Sequence, residues 1–348
     1  MAVTAVDGLV VGIDTHLDVH VAAVLNRLGQ RLAVRSFPAT DAGNAQLTRW
    51  LDSLGTVTEA GVEGTGSYGY RLARALTRHG VQVREINCPD RSRRRRRGKS
   101  DPVDAENAAR AVLAGEATAV PKDRDGVIGE LRLLVITRRS AVKARTQASN
   151  QIKAFLLDAG DELRARLAPL RKARFARACA ALDPGDGLNR ALASLGRRWL
   201  ALDQEARELE TQITALVTAQ APALLDRHGV GPISAAQLLV TAGANPGRLR
   251  GDAALAALCG ASPIAASSGK TTRHRLNRGG DRAANNALWT IAHIRMISDP
   301  RTRAYVAKRT ATGNSRREIM RMLQRYIARE LYPLIIDAFV PITAAVLT

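Results

Sequence analysis

The sequence predicts an α/β domain at the amino-terminal end followed by all-α segments. Three observations carry this. Through the first third of the chain, short apolar runs bounded by turn residues alternate with helical patterns. From residue 128 onward strand signals almost vanish and apolar positions recur at helical spacing. Aromatic residues are only 3% while hydrophobic residues reach 46%, which favours helices packed through small side chains.

The elements follow in order. Residues 8–14 (GLVVGID) form a near-continuous apolar run, the pattern of a buried strand. Val19–Leu25 (VHVAAVL) and Arg31–Phe37 (RLAVRSF) are two further strands, joined by the turn Asn26–Gln30. Asp41–Leu54 reads as an amphipathic helix capped by Asp41. Thr58–Glu63 is a strand, Tyr68–His79 a helix and Val81–Ile86 a strand. Five arginines, Arg93–Arg97, then precede a helix that opens at Asp101-Pro102, where aspartate caps and proline suits the first turn. The order βββαβαβ then helix implies a mixed sheet covered by helices, and it matches the RNase H-like fold.

Beyond it, residues 128–157, 161–181 and 188–219 carry helical patterns. Leu195, Leu202, Leu209 and Leu216 recur every seventh residue, which fits either a coiled-coil seam or an ordinary bundle helix. Pro222 opens a third, basic helical segment, including helices over Trp289–Met296 and Glu318–Ala328. The expected division is 1–127, a mixed-sheet catalytic domain; 128–221, a helical linker and oligomerisation region; and 222–348, a helical serine-bearing domain.

Charge narrows the function. There are 52 Lys+Arg against 32 Asp+Glu, a net charge of +20, and the excess is clustered. Arginine predominates, and its planar fork suits phosphate. A nucleic-acid partner follows. Cys88, Cys179 and Cys259 lie far apart without a CxxC pair, so neither a disulfide framework nor structural zinc is expected. No signal segment or bilayer-length apolar run is visible, so the expected location is the cytoplasm, in association with the nucleoid, with no membrane partner.

Four acids fall at meaningful places on this map. Asp14 ends the first strand and Glu63 the fourth; Asp101 and Asp104 open the helix after the fifth. If the first and fourth strands are neighbours, Asp14 and Glu63 meet at one sheet end. A helix starting there brings Asp101 and Asp104 over them, because positions i and i+3 share a face. Gathered carboxylates repel unless hard cations offset them, which selects Mg2+ or Mn2+. Two such ions suit phosphodiester cleavage. Arg93, Arg94, Arg95, Arg96, Arg97 and Lys99 would hold the nucleic-acid backbone beside them.

Two patterns compete with this one. Gly64-Thr-Gly-Ser-Tyr-Gly69 spells G-x-G-x-x-G, with Glu85 near the end of the next strand, as in a dinucleotide site. Glu63 would then face a pyrophosphate, and a doubly wound fold would not begin with three strands joined by tight turns. The glycines instead suit a sharp turn behind Glu63. His16 and His20 have H-x3-H spacing on one expected strand without a third nitrogen or sulfur ligand, so they read as structural or phosphate-side groups rather than a zinc site.

In the third segment, Ser267-Ser268-Gly269-Lys270 leads into a basic loop with Arg273, Arg275 and Arg278, and Arg282 follows. A serine before glycine can be approached closely by substrate, and these cations would anchor phosphate. A flexible phosphate contact is the plainer alternative. Gly229 and Gly231, in His228-Gly-Val-Gly-Pro232, fit a helix-hairpin-helix turn whose amides grip phosphate, or a plain αα-hairpin.

Taken in order, GIDTHLDVH, VEGTGSYG, KSDPVDAENAAR, HGVGPISAAQLL and CGASPIAASSGK resemble the insertion-sequence-110 family of transposases, the bridge-RNA-guided recombinases. The resemblance spans essentially the whole chain. It implies a RuvC-like domain with an Asp-Glu-Asp-Asp set, falling on Asp14, Glu63, Asp101 and Asp104, and a catalytic serine at Ser268, with Ser267 adjacent. It implies that the serine becomes covalently linked to DNA beside a magnesium site contributed by another protomer of a homo-oligomer, dimer or tetramer. It also implies an element-encoded guide RNA that pairs with donor and target DNA. Leu17 stands where the family commonly has lysine. The rival functions are a metal-dependent nuclease or junction resolvase using activated water, and a non-enzymatic nucleic-acid binder whose acids only cap helices.

Overall fold

The computed structural model describes residues 8–86, 100–267, 274–275 and 277–339. The chain divides into two compact units, one ending at Lys122 and the other beginning at Asp123.

The first unit contains β1 (Leu9–Thr15), β2 (Val19–Leu25), β3 (Arg31–Pro38), α1 (Asp41–Leu54), β4 (Val57–Glu63), α2 (Tyr70–Arg78), β5 (Gln82–Ile86) and α3 (Asp101–Leu113). The sheet order is β3-β2-β1-β4-β5. β1 pairs antiparallel with β2 and parallel with β4, so the first and fourth strands are neighbours as expected. The antiparallel β1–β2–β3 meander excludes the doubly wound arrangement that the glycine pattern would require.

β1 is buried on both faces, which is why its sequence does not alternate. Val11 and Ile13 pack with Leu47 and Leu51 of α1 and Leu72 and Leu76 of α2. Val10 lies on the opposite face, in a cluster with Ala108, Ala109 and Val112 of α3. Two glycines let α3 come close to the sheet. A Cβ on Gly12 would lie 2.0 Å from the Ala105 carbonyl oxygen, and one on Gly61 would lie 2.5 Å from that of Ala108. Successive strand side chains alternate faces, so Asp14 and Glu63, each two residues past its glycine, share the α3 face.

Both capping expectations shift by one residue. Thr40 caps α1, its hydroxyl accepting from the Gly43 amide at 3.1 Å, while Asp41 pairs with Arg71. Ser100 occupies the cap position of α3, which leaves Asp101 as the first helical residue.

The second unit begins with two long helices, α4 (Gly126–Phe155) and α7 (Gly187–Gln220). Between them lie α5 (Asp161–Leu167) and α6 (Lys172–Ala180). The single helix expected over 161–181 is therefore broken, at a segment containing Pro169, which has no amide hydrogen to continue the ladder. α4 and α7 run antiparallel. Ser149 accepts from Trp199 Nε1 at 2.8 Å, Arg145 pairs with Asp203, and Arg138 donates to Glu210 at 2.7 Å. The buried seam of α7 is Leu192, Gly196, Trp199, Asp203, Ala206, Ile213 and Val217. Its four- and three-residue steps, with one full seven-residue step from Ala206 to Ile213, make a heptad, but on a different stripe from the leucines named above: only Leu195 of those four is buried.

The rest comprises α8 (Pro222–Leu225), α9 (Pro232–Ala242), α10 (Asp252–Leu258), the short strands β6 (Ile264–Ala265) and β7 (His274–Arg275), α11 (Arg282–Ser298), α12 (Pro300–Ala311) and α13 (Arg316–Asp337). These helices pack around one core that includes Leu238, Leu239, Leu288, Ile291, Ile327 and Leu331. β6 and β7 pair antiparallel, so the stretch read as a basic loop starts as the return strand of a hairpin. Among the described residues, no helix is long and apolar enough to cross a membrane.

Candidate functional site

At the carboxyl end of β1, Asp14 is buried and His16 is exposed in the turn to β2. His16 Nε2 lies 3.1 Å from Asp14 Oδ2 and 3.5 Å from Asp101 Oδ1. The three groups offer ligand atoms that all fall within 4.8 Å of one another. Glu63 is beside them by strand register, since Ile13 faces Val62 and the Thr15 hydroxyl donates to the Glu63 carbonyl at 2.8 Å. The chain then turns sharply through Gly64, whose φ is +64°. Asp104 is buried one turn into α3.

The electrostatics follow from this crowding. Burial raises the Asp14 pKa, His16 opposes the rise, and the charges of Asp101 and Asp104 add to it. Asp14 therefore experiences both α3 acids. A divalent cation held by these groups would reverse that balance. The donor set fits such an ion: carboxylate oxygens suit Mg2+ or Mn2+, and an imidazole nitrogen is accepted more readily by Mn2+. Asp14 and Asp101 are thus brought into one ligand-sized cluster; Asp104 and Glu63 flank it.

His16 is the residue that sequence reasoning set aside. His16 and His20 do not share a strand: β1 ends at Thr15, and His20 lies in β2 opposite Thr15. The usable signal was local, since His16 stands two residues after the strand-end acid. His20 is buried, its pKa lowered first by burial and then by His16, and its Nδ1 has no hydrogen-bond partner among the described residues.

Of the residues expected to touch nucleic acid, Arg275, Arg278 and Arg282 are exposed near the β6–β7 hairpin. Ser267 is exposed two residues after the end of β6. Ser268, Lys270, Arg273, Arg93, Arg94, Arg95, Arg96, Arg97, Lys99 and Cys88 lie outside the described residues. Gly231 is the cap of α9. Gly229 packs onto α11, where its added Cβ would lie 3.2 Å from the Ile291 carbonyl, and Arg295 donates to the neighbouring His228 carbonyl at 2.8 Å.

Comparison with known proteins now bears on this arrangement. A family model named for DEDD transposases of the IS110 type matches residues 11–160, which contain all four acids and His16. A second, described as the transposase IS116/IS110/IS902 family, matches residues 221–307, which contain the α8–α9 turn and the hairpin. The chain belongs to the IS110 transposase family. It is also similar to the insertion element IS110 uncharacterized 43.6 kDa protein of Streptomyces coelicolor, with 33% identity over 158 residues. That match covers 44% of this chain and 39% of the Streptomyces protein, so the chain spans well under half the length of the relative. The two IS110 matches leave out residues 161–220, which hold α5, α6 and the whole of the long helix α7.

Proposed function

We propose that the chain is the recombinase of an insertion sequence, cutting and rejoining DNA through Ser268 with help from a divalent-ion site in an RNase H-like, RuvC-like first unit. The observation that carries this is the convergence of Asp14, His16 and Asp101 ligand atoms within 4.8 Å at a sheet end. The sheet order β3-β2-β1-β4-β5, with acids ending its two central parallel strands, supports the fold assignment. Asp14, Glu63, Asp101 and Asp104 would hold Mg2+ or Mn2+, with His16 at its edge. Polarisation of a bound phosphate is the chemistry that such an ion supplies there.

The protein's own residues do the rest. Ser268 Oγ attacks phosphorus as the bond to one deoxyribose oxygen breaks; the serine proton is given up, and the departing oxygen gains one. Rejoining reverses those steps, so no energy-rich cofactor is consumed. Arg93–Arg97, Lys99, Lys270, Arg273, Arg275, Arg278, Arg282 and the Gly229–Gly231 turn would neutralise and position the backbone. In this reading 1–127 is the catalytic domain, 128–221 the linker and oligomer contact, and 222–348 the serine domain. Metal site and serine would come from different protomers. An element-encoded guide RNA would choose donor and target DNA, and the arginine surplus supports a role reading backbone rather than bases.

The test uses two substitutions. Ser268→Ala should abolish covalent protein–DNA linkage and strand cleavage together. Cleavage persisting at the normal rate would make the chain a water-using nuclease. Asp14→Asn should abolish cleavage while salt-sensitive DNA binding survives; cleavage unaffected by it would remove the metal site from the mechanism. Sequencing RNA that accompanies protein purified from cells carrying the whole element tests the guide.

A further inference from the structure

The second unit contains a cavity of about 440 Å³ between the β6–β7 hairpin and α13. Ligand pockets of roughly this size, about 300–1,000 Å³, enclose small molecules rather than a duplex surface. Its chemistry is mixed. Tyr326 lines one wall; its ring is half exposed and is fixed by an edge contact with Tyr305, centroids 5.8 Å apart at 88°. Two amides have capacity to spare. Asn277 Oδ1 accepts from Gly279, leaving its amino group, and Asn314 Nδ2 donates to Arg309 and Thr312, leaving its oxygen.

The cations divide into two kinds. Arg325 is neutralised by Asp252 at 2.8 Å. Arg321, half-buried, and Arg275, exposed, have no carboxylate within salt-bridge distance among the described residues. Glu318 also lines the cavity, its Oε2 accepting from the Ser315 amide and hydroxyl; the guanidinium groups of Arg321 and Arg275 outnumber that one carboxylate, and the surplus positive charge suits an anion. An exposed aromatic ring beside an amide donor and an amide acceptor suits a flat heterocycle with a hydrogen-bonding edge.

We propose that this cavity holds one unstacked deoxynucleotide of the DNA strand, with its base against Tyr326 and its phosphate on Arg321 and Arg275. Position supports this occupant. Ser268 is three residues past Ala265, which ends the hairpin strand bordering the cavity. Three residues of chain span at most about 11 Å, on the order of three base steps at about 3.4 Å each. On the recombinase reading, a nucleotide held here would sit within a few steps of the phosphate that the serine attacks, and it would fix register without reading a long sequence. The inference rests on the recombinase reading for its polymer and reaction, but its test does not.

The experiment is saturation-transfer NMR on the full chain with the four deoxynucleoside 5′-monophosphates as probes. Base protons should receive saturation. Arg321→Ala should weaken binding roughly tenfold, the loss of one charge-assisted contact, and Arg321→Lys should weaken it less. Tyr326→Leu should remove transfer to the base protons. Far-UV circular dichroism melts identify any variant that fails to fold, and Tyr326→Phe, which keeps the ring, should retain transfer. Absence of transfer with folded wild-type protein overturns the proposal, as does transfer indifferent to both truncations. Equimolar inorganic phosphate displacing the nucleotide would reduce the cavity to an anion site and also overturns it. So would binding of ribonucleotides alone, which would make the occupant RNA. Nucleotide binding that survives while covalent linkage fails removes the recombinase reading and leaves this site standing.

Discussion

Two helix packings in this molecule differ in kind. α3 rests on the sheet through backbone, with Gly12 and Gly61 admitting the carbonyls of Ala105 and Ala108. α4 and α7 meet through side chains, in a ladder of Trp199–Ser149, Arg145–Asp203 and Arg138–Glu210. Backbone contact leaves little freedom to slide. It therefore suits a helix whose first turn must deliver Asp101 and Asp104 to Asp14. A side-chain ladder tolerates repacking. The lesson is that precision in this fold is located where side chains are missing.

Substitution can break that contrast. The largest effect is expected at Gly12→Val, whose branched side chain has no space against α3. We expect a loss of about 3–5 kcal/mol in urea unfolding, or failure of the first unit to fold. A wild-type-like midpoint would mean that α3 is not seated there. The ladder should respond less. Asp203 is bound by both Arg145 and Arg207, and Arg145 also stacks over Trp199 at 5.4 Å. Asp203→Ala should cost about 2 kcal/mol, a value reduced by partial exposure of its partners. A cost equal to that of Gly12→Val would erase the distinction.

The smallest perturbation is chemical. Burial pushes the Cys259 thiol up to about 12 and the Cys179 thiol up to about 11. The thiolate is the reactive form and predominates only above the pKa, so at pH 8 only about one Cys179 in a thousand is ionised, and fewer at Cys259. Peptide-resolved alkylation should find both unmodified in native protein and modified in urea. Rapid native labelling of Cys179, whose helix meets Gly196 of α7 at close range, would show that this second glycine-seated contact opens readily, unlike the one under α3.

Much of the first unit was legible because its signals are long. Apolar runs marked β1 and β2, and turn residues bounded them. The strand-end positions of Asp14 and Glu63 followed from those runs. The seating of α3 was written there too, as Gly-Ile-Asp and Gly-Val-Glu, but a glycine two residues before an acid has no meaning until two strands are known to be neighbours. His16 was missed for a related reason: assigning it to the same strand as His20 hid its place in a turn. Cap positions slipped because Thr40 and Ser100 each precede an aspartate that is equally capable of capping. In the second unit the leucine heptad drew attention away from the buried stripe, which contains Gly196, Asp203 and Ala206. Strands of two residues, as in β6 and β7, are too short to carry any periodicity.

The central claim is that residues far apart in sequence meet at the end of β1 to bind a divalent ion. Titration of the protein with Mn2+, followed by electron paramagnetic resonance of the free ion, tests this without any assay of activity. Saturable binding by the native chain, lost in Asp14→Asn and weakened in Asp101→Asn and His16→Ala, is the predicted result. Equal Mn2+ uptake by the native chain and Asp14→Asn would contradict it.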